Sequence, residues 1–146
     1  MIAEATLSAD SGFERSLYSI FVPFPVVCFV GAFATDLAYW GSASFIWETF
    51  SVWLLATGLV MAGVTVLAGI VDLLVKRRFH IGMVRAVCAV LIVLLSLVNV
   101  FVHSRDGYTA VVPTGITLSG IVVALLVVTA AIGRTIVTRT SIARIR

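Results

Sequence analysis

The amino-acid sequence predicts an all-α integral membrane protein, a bundle of four transmembrane helices with both termini in the cytoplasm. Of its 146 residues, 61% are hydrophobic and only 12% are charged, and the mean hydropathy is +1.17. A soluble domain carries about a quarter charged residues, so lipid must solvate much of this surface. The apolar residues form four segments of about 20 residues, the length of one bilayer crossing.

The first predicted span covers residues 17–39 and follows an acidic N-terminal tail, residues 1–16. We expect this tail not to be a cleaved signal peptide, because a signal peptide begins with basic residues followed directly by an apolar core. Pro23 and Pro25 remove two backbone donors, so we expect a kink in the early turns.

The first connector covers residues 40–49, and the remaining apolar segments predict spans at 50–74, 84–102 and 114–137. A basic tail, residues 138–146, follows the last span. Pro113 is well placed for the first turn of that span. The connectors leave no room for a soluble catalytic domain, so residues 17–137 form one transmembrane domain and we expect no enzyme.

The distribution of Lys and Arg predicts the orientation. The N-terminal tail, the second connector and the C-terminal end hold nine basic residues: Arg15, Lys76, Arg77, Arg78, Arg85, Arg134, Arg139, Arg144 and Arg146. The opposite side holds Arg105 alone. Because basic residues stay in the cytoplasm, this asymmetry predicts an N-in, C-in protein of the bacterial inner membrane.

The formal net charge of +3 does not indicate nucleic-acid binding, because the basic residues flank hydrophobic spans. Cys28 and Cys88 lie at depths that differ by about 10 Å, too far for a disulfide. They are predicted to be small apolar packing residues, and no spacing of Cys and His indicates a metal site.

Small residues predict where the helices pack, because close contact in lipid depends on small side chains. One face of the second span carries the packing stripe Gly58, Ala62, Thr65, Gly69 and Asp72. Asp72 is expected to pair with Lys76, one turn later. On the fourth span the predicted small-residue face comprises Gly120, Ala124, Val127 and Ala131.

Polar residues converge at the periplasmic end of the predicted bundle. The third span carries Asn99 and His103 on one face, and an amide there should hydrogen-bond to another helix. The candidate docking or ligand residues are Asp36, Asn99, His103, Arg105 and Asp106. Two interpretations stay open: a docking or quinone-headgroup site, or an ion pair of Arg105 with Asp36 or Asp106 that fastens helix ends.

Haem and transport both receive less support from the sequence. His80 and His103 are 23 residues apart on one span, roughly 34 Å, so they cannot ligate one iron within one chain. No cofactor is predicted, although haem b at His103 or a quinone remains an alternative. A coupled transporter usually carries a carboxylate near mid-membrane, whereas Asp36 and Asp72 are predicted near span ends.

Several motifs in order resemble those of the bacterial membrane family catalogued as domain of unknown function 2231. They are Val22-Pro23-Phe24-Pro25, Thr35-Asp36-Leu37-Ala38-Tyr39, Gly58-Leu59-Val60-Met61-Ala62, Ala68-Gly69-Ile70-Val71-Asp72, Leu97-Val98-Asn99, His103-Ser104-Arg105-Asp106 and Val112-Pro113-Thr114-Gly115. The resemblance implies four transmembrane helices in a bacterial inner membrane and no known activity.

The same resemblance bears on cofactors and partners. Family members often carry His-Pro early in the first span and a histidine at the start of the third, where this chain has Tyr18-Ser19 and Arg85. The resemblance therefore does not imply a haem here. It implies an association with periplasmic oxidoreductases.

The function predicted from the sequence is an accessory or anchoring subunit of a larger inner-membrane complex, for which an electron-transfer assembly is a candidate. The alternatives are a small redox protein that holds haem or quinone near the periplasmic face, and a small transporter. The expected partners are the lipid bilayer and other membrane-protein subunits or a second copy of the chain.

Overall fold

The computed structural model describes the backbone of residues 16–76, 82–105 and 111–145, and the side chains of 16–75, 82–104 and 112–134. Every element in these ranges is helical. The helices are α1 (Leu17–Phe21), α2 (Pro23–Ser42), α3 (Phe45–Lys76), α4 (Met83–Arg105) and α5 (Ile116–Ile145). A short turn, Val111–Gly115, precedes α5 and contains a cis Val112–Pro113 peptide bond.

The two prolines divide the first apolar segment into α1 and α2. Pro23 is the first residue of α2, where its missing N–H group removes no helical hydrogen bond. Val22, between the two helices, keeps helical backbone angles (φ −51°, ψ −40°). Asp72 at the end of α3 accepts hydrogen bonds from the Ser16 hydroxyl and from the Tyr18 N–H at 3.0 Å.

The first connector is shorter than the predicted residues 40–49. Helix α2 runs to Ser42 and α3 begins at Phe45. Ala43 closes α2 in the left-handed conformation (φ 51°) and donates a backbone hydrogen bond to Tyr39 at 2.7 Å. The prediction was wrong because it followed where the apolar segments end, whereas the helices extend beyond those segments, α2 to Ser42 and α3 back to Phe45.

Helix α5 continues without interruption to Ile145, so the predicted tail at residues 138–146 is helical up to that residue. The end of the last membrane span at residue 137 stays a prediction. The N-terminal tail, residues 1–15, lies outside the described residues, as does the Lys76 side chain. The expected pair of Asp72 with Lys76 therefore stays a prediction.

The helices pack in a ring in which α2 contacts α3, α3 contacts α4, α4 contacts α5, and α5 contacts α2. Each consecutive pair is antiparallel, so the bundle has two ends. The His103 end combines the C-termini of α2 and α4 with the N-termini of α3 and α5. The Asp72 end combines α1, the C-terminus of α3 and the N-terminus of α4.

The packing stripe of α3 faces the bundle interior: the structure buries Gly58, Ala62, Thr65, Gly69 and Asp72. The predicted face of α5 was wrong, because Val127 is 63% exposed and Ala124 and Ala131 also face outward. Ser119 and Val122 of α5 are buried instead, as is Gly115 in the turn before it. Small size alone did not identify the face, because polar Ser119 is the residue that needs partners inside the bundle.

Four helical segments are long and apolar enough to cross a membrane: Leu17–Ser42, Phe45–Val75, Met83–Ser104 and Val112–Arg134. Large apolar side chains are exposed along all of them, as expected where lipid is the solvent. Length and composition thus fit a four-helix membrane bundle. Its apolar core is formed by Phe29, Ala32, Leu55, Ile92 and Val122.

Candidate functional site

Polar side chains from four helices meet inside the His103 end of the bundle. We call this group the polar cluster; its members are Asp36 on α2, Ser51 on α3, Asn99 and His103 on α4, and Ser119 on α5. All five are at least 96% buried. Buried polar groups are stable in an apolar bundle only when they are hydrogen-bonded to one another.

Asp36 is the centre of the polar cluster. Its Oδ1 accepts a hydrogen bond from the Ser51 hydroxyl at 2.5 Å and faces His103 Nε2 at 3.1 Å. Its Oδ2 accepts a hydrogen bond from the Ser119 hydroxyl at 2.5 Å. Ser119 in turn accepts from Asn99 Nδ2 at 2.7 Å, so its own proton is directed to Asp36. Asp36 therefore connects three other helices through a single carboxylate.

Both ring nitrogens of His103 face acceptors. Nδ1 donates to the backbone carbonyl of Asn99 at 2.9 Å, so this nitrogen carries a proton. Nε2 faces the Asp36 carboxylate, which leaves one proton between imidazole and carboxylate. The pair is thus either an imidazolium with a carboxylate or a neutral imidazole with a carboxylic acid, and the two forms differ only in the position of that proton.

Gly115 makes room for the imidazole ring. A Cβ atom at this position would lie 2.8 Å from His103 Cε1, closer than real Cβ contacts. Because hydrogen bonds hold the ring at both nitrogens, it cannot turn aside without losing one of them. Because Gly115 has no side chain, the turn before α5 leaves space for the imidazole of His103 in this position.

A pocket of about 300 Å³ opens next to the polar cluster. It is lined by Phe45, Glu48, Thr49, Val52, Trp53, His103 and Ser104. Among the lining residues, Glu48 and His103 are both only 4% exposed, whereas Phe45 and Trp53 are 53% and 69% exposed. The buried part of the lining is thus polar, and its most exposed part is aromatic.

Glu48 contains the clearest unfilled hydrogen-bonding position at this end. Its Oε2 atom is buried and has no hydrogen-bond partner in the described part of the chain. Burying a carboxylate oxygen without a donor is costly. Asn99 Oδ1 and Ser96 Oγ are likewise buried without a partner among the described residues, one and two turns deeper than His103.

The structure brings together three of the five candidate residues named from the sequence: Asp36, Asn99 and His103. The Arg105 side chain and Asp106 lie outside the described residues, so their roles stay predictions. Asp36 is not peripheral as expected, because α2 extends six residues beyond it, roughly 9 Å. Its completely buried carboxylate pairs with His103.

The sequence analysis missed Glu48, Ser51, Gly115 and Ser119. A signal for the first two existed, since they extend the packing stripe of α3 outward with the same alternating spacing of three and four. Gly115 and Ser119 are also four residues apart on one face of the chain. Their roles depend on where His103 and Asp36 lie, which local spacing does not reveal.

Comparison with known protein families matches residues 14–145 to the family described as "Predicted membrane protein (DUF2231)". No curated protein and no solved structure gives a significant match. The match covers all the helices described above.

Proposed function

The chain belongs to the DUF2231 family of predicted membrane proteins, as its motifs predicted, and from that premise we propose that it is an accessory membrane subunit that binds a quinone-type headgroup at the His103 end. The family description names no activity, so the proposal depends on the site itself. The headgroup enters the pocket from the lipid, with its hydrocarbon tail left in the bilayer.

The observation that carries this proposal is the buried Glu48 Oε2, which has no hydrogen-bond partner among the residues that the structure describes. An unfilled acceptor at the floor of a pocket implies a ligand that supplies a donor. The pocket volume of about 300 Å³ suits a single substituted ring. Trp53 and Phe45 offer aromatic surface to such a ring at the lipid-facing side.

The alternative ligand, haem, fits these residues less well. Iron ligation needs a ring nitrogen with a free lone pair. In His103 one nitrogen donates to the Asn99 carbonyl and the other shares a proton with Asp36. Using His103 as an axial ligand would disrupt the polar cluster, so the quinone-type ligand is favoured.

A transporter is also less well supported. The apolar core residues Phe29, Ile92 and Val122 lie one to two turns deeper in the bundle than Asp36, Asn99 and Ser119. The polar cluster is thereby separated from Asp72 at the opposite end. This arrangement supports a site that is open on one side.

The orientation and the assembly are parts of the same proposal. The sequence has nine basic residues in its two terminal segments and second connector, and Arg105 alone on the predicted opposite side. This asymmetry favours a cytoplasmic location for the Asp72 end, with both termini inside a bacterial inner membrane. The His103 end then faces the periplasm. The chain has a ligand site and no described residues that could accept electrons, so the electron acceptor belongs to a larger complex for which this chain is an accessory subunit.

Purification of the tagged chain from its native membranes in mild detergent tests the proposal. We expect a quinone in the organic extract and a partner protein recovered in stoichiometric amount. Glu48→Leu, which removes the polar group, should lose the quinone, whereas Asp72→Asn at the opposite end should retain it. Wild-type protein recovered alone and without quinone would refute the proposal. Reporter fusions to each terminus test the orientation.

A further inference from the structure

We infer that the pocket selects the reduced, hydroxyl-bearing form of its ligand, the hydroquinone, over the oxidised quinone. The inference depends on the proposed function and specifies which form binds. It arises from the hydrogen-bonding direction of the polar side chains that line the pocket.

The two hydroxyl groups that line the pocket already donate their protons to backbone carbonyls. Thr49 Oγ1 donates to the Phe45 carbonyl at 3.2 Å, and Ser104 Oγ donates to the Val100 carbonyl at 2.7 Å. Each is a bond to the preceding turn of the same helix. The remaining lone pairs of both oxygens can only accept, so neither hydroxyl is available to donate to a ligand.

Glu48 is an acceptor as well. It lies in the first turn of α3, and its buried Oε2 has no hydrogen-bond donor among the described residues. The nearby His103 has no donor to spare, because its Nδ1 proton is bonded to Asn99 and its Nε2 faces Asp36.

All the polar groups around the pocket therefore require a donor. A hydroquinone carries two hydroxyl donors and can fill the position at Glu48 Oε2. A quinone carries two carbonyl acceptors, which would face the Glu48 carboxylate without a proton between them. A ligand that leaves the buried polar groups of a site unpaired binds much more weakly than a ligand that pairs with them.

The expected result is that the reduced form binds at least ten times more tightly than the oxidised form. Preferential binding of the reduced form raises the midpoint potential of the bound ligand. For a two-electron couple, a tenfold ratio of affinities corresponds to about 30 mV.

The test uses the full-length protein in phosphatidylcholine nanodiscs and a decyl-substituted benzoquinone, added either oxidised or fully reduced. Calorimetric titration measures the affinity for each form. We expect Glu48→Gln to reduce the affinity ratio toward one, because an amide both donates and accepts. Thr49→Val should weaken binding of the reduced form less. Thr117→Val is the matched control, since its hydroxyl also donates to a carbonyl one turn earlier but lies outside the pocket.

The outcomes separate this inference from the proposed function. Equal affinities for the two forms, both lost in Glu48→Gln, would overturn the inference and leave the proposed function intact. A preference for the reduced form that Glu48→Gln does not change would also overturn it. Binding of neither form would overturn both. A lipid ammonium is the competing donor: loss of reduced-form binding in phosphatidylethanolamine nanodiscs would assign the pocket to that headgroup and overturn the inference.

Discussion

His103 Nε2 lies 3.1 Å from Asp36 Oδ1, although 67 residues separate the two in the chain and both side chains are fully buried. This contact joins the second and fourth helices inside a bundle that otherwise packs apolar and small side chains. An ionisable pair in this position is costly unless each partner satisfies the other. The hydroxyl groups of Ser51 and Ser119 donate further hydrogen bonds to the Asp36 carboxylate.

Asp36→Asn should destabilise the bundle. The amide cannot share the proton that lies between His103 Nε2 and the carboxylate, and breaking a buried pair from one side costs about 3–5 kcal/mol. SDS titration of the purified protein, followed by circular dichroism, measures the free energy of unfolding. The double variant Asp36→Asn/His103→Gln should lose clearly less than the sum of the two single variants. Additive losses would mean that the two side chains do not interact energetically.

Gly58→Ala should destabilise the contact between α2 and α3. The added Cβ would lie 2.6 Å from Phe29 Cε1 and 3.1 Å from Cys28 Cβ. Such overpacking costs about 1–3 kcal/mol. Gly63→Ala on the same helix is the control, because nothing lies within 4 Å of its added Cβ, and alanine favours helix. Thermal unfolding in detergent should separate them, and equal melting temperatures would contradict the packing described for Gly58.

Gly115→Ala should displace the imidazole of His103 and weaken its hydrogen bond to Asp36. The ring nitrogens can be followed by ¹⁵N NMR of histidine-labelled protein, where we expect a shift of the Nε2 signal. Gly120→Ala is the matched control, since its added Cβ lies 3.5 Å from Phe33 Cε2, an ordinary contact. If the Nε2 signal were the same in wild type and Gly115→Ala, Gly115 would not position His103.

Ala43→Gly should stabilise the protein. Ala43 has a positive φ of 51°, a conformation that costs a residue with a Cβ about 1–2 kcal/mol and costs glycine almost nothing. Part of this gain is offset by the greater freedom of glycine in the unfolded chain, which leaves roughly 1 kcal/mol. Ala89→Gly, at an exposed position within α4, should lose about 1 kcal/mol instead. A melting temperature that falls in both variants would argue against strain at Ala43.

Part of the candidate site was predictable from the chain alone. Asn99 and His103 share one face of a helix, and an amide in an apolar segment must find a partner, so both were expected to face the interior. Asp36 was placed correctly at the same end but too close to the surface, because the end of α2 was predicted three residues early. Glu48 was assigned to a connector that the structure replaces with the first turn of α3.

The sequence by itself determined that the chain has four apolar helical segments and that one face of α3 packs inward. The reason is that hydropathy and side-chain size act locally, along one helix at a time. Only the tertiary structure decided which polar residues meet. The contacts of Asp36 with Ser51, His103 and Ser119 depend on how four helices are rotated and aligned against one another, and the pocket beside Glu48 exists only between α3 and α4.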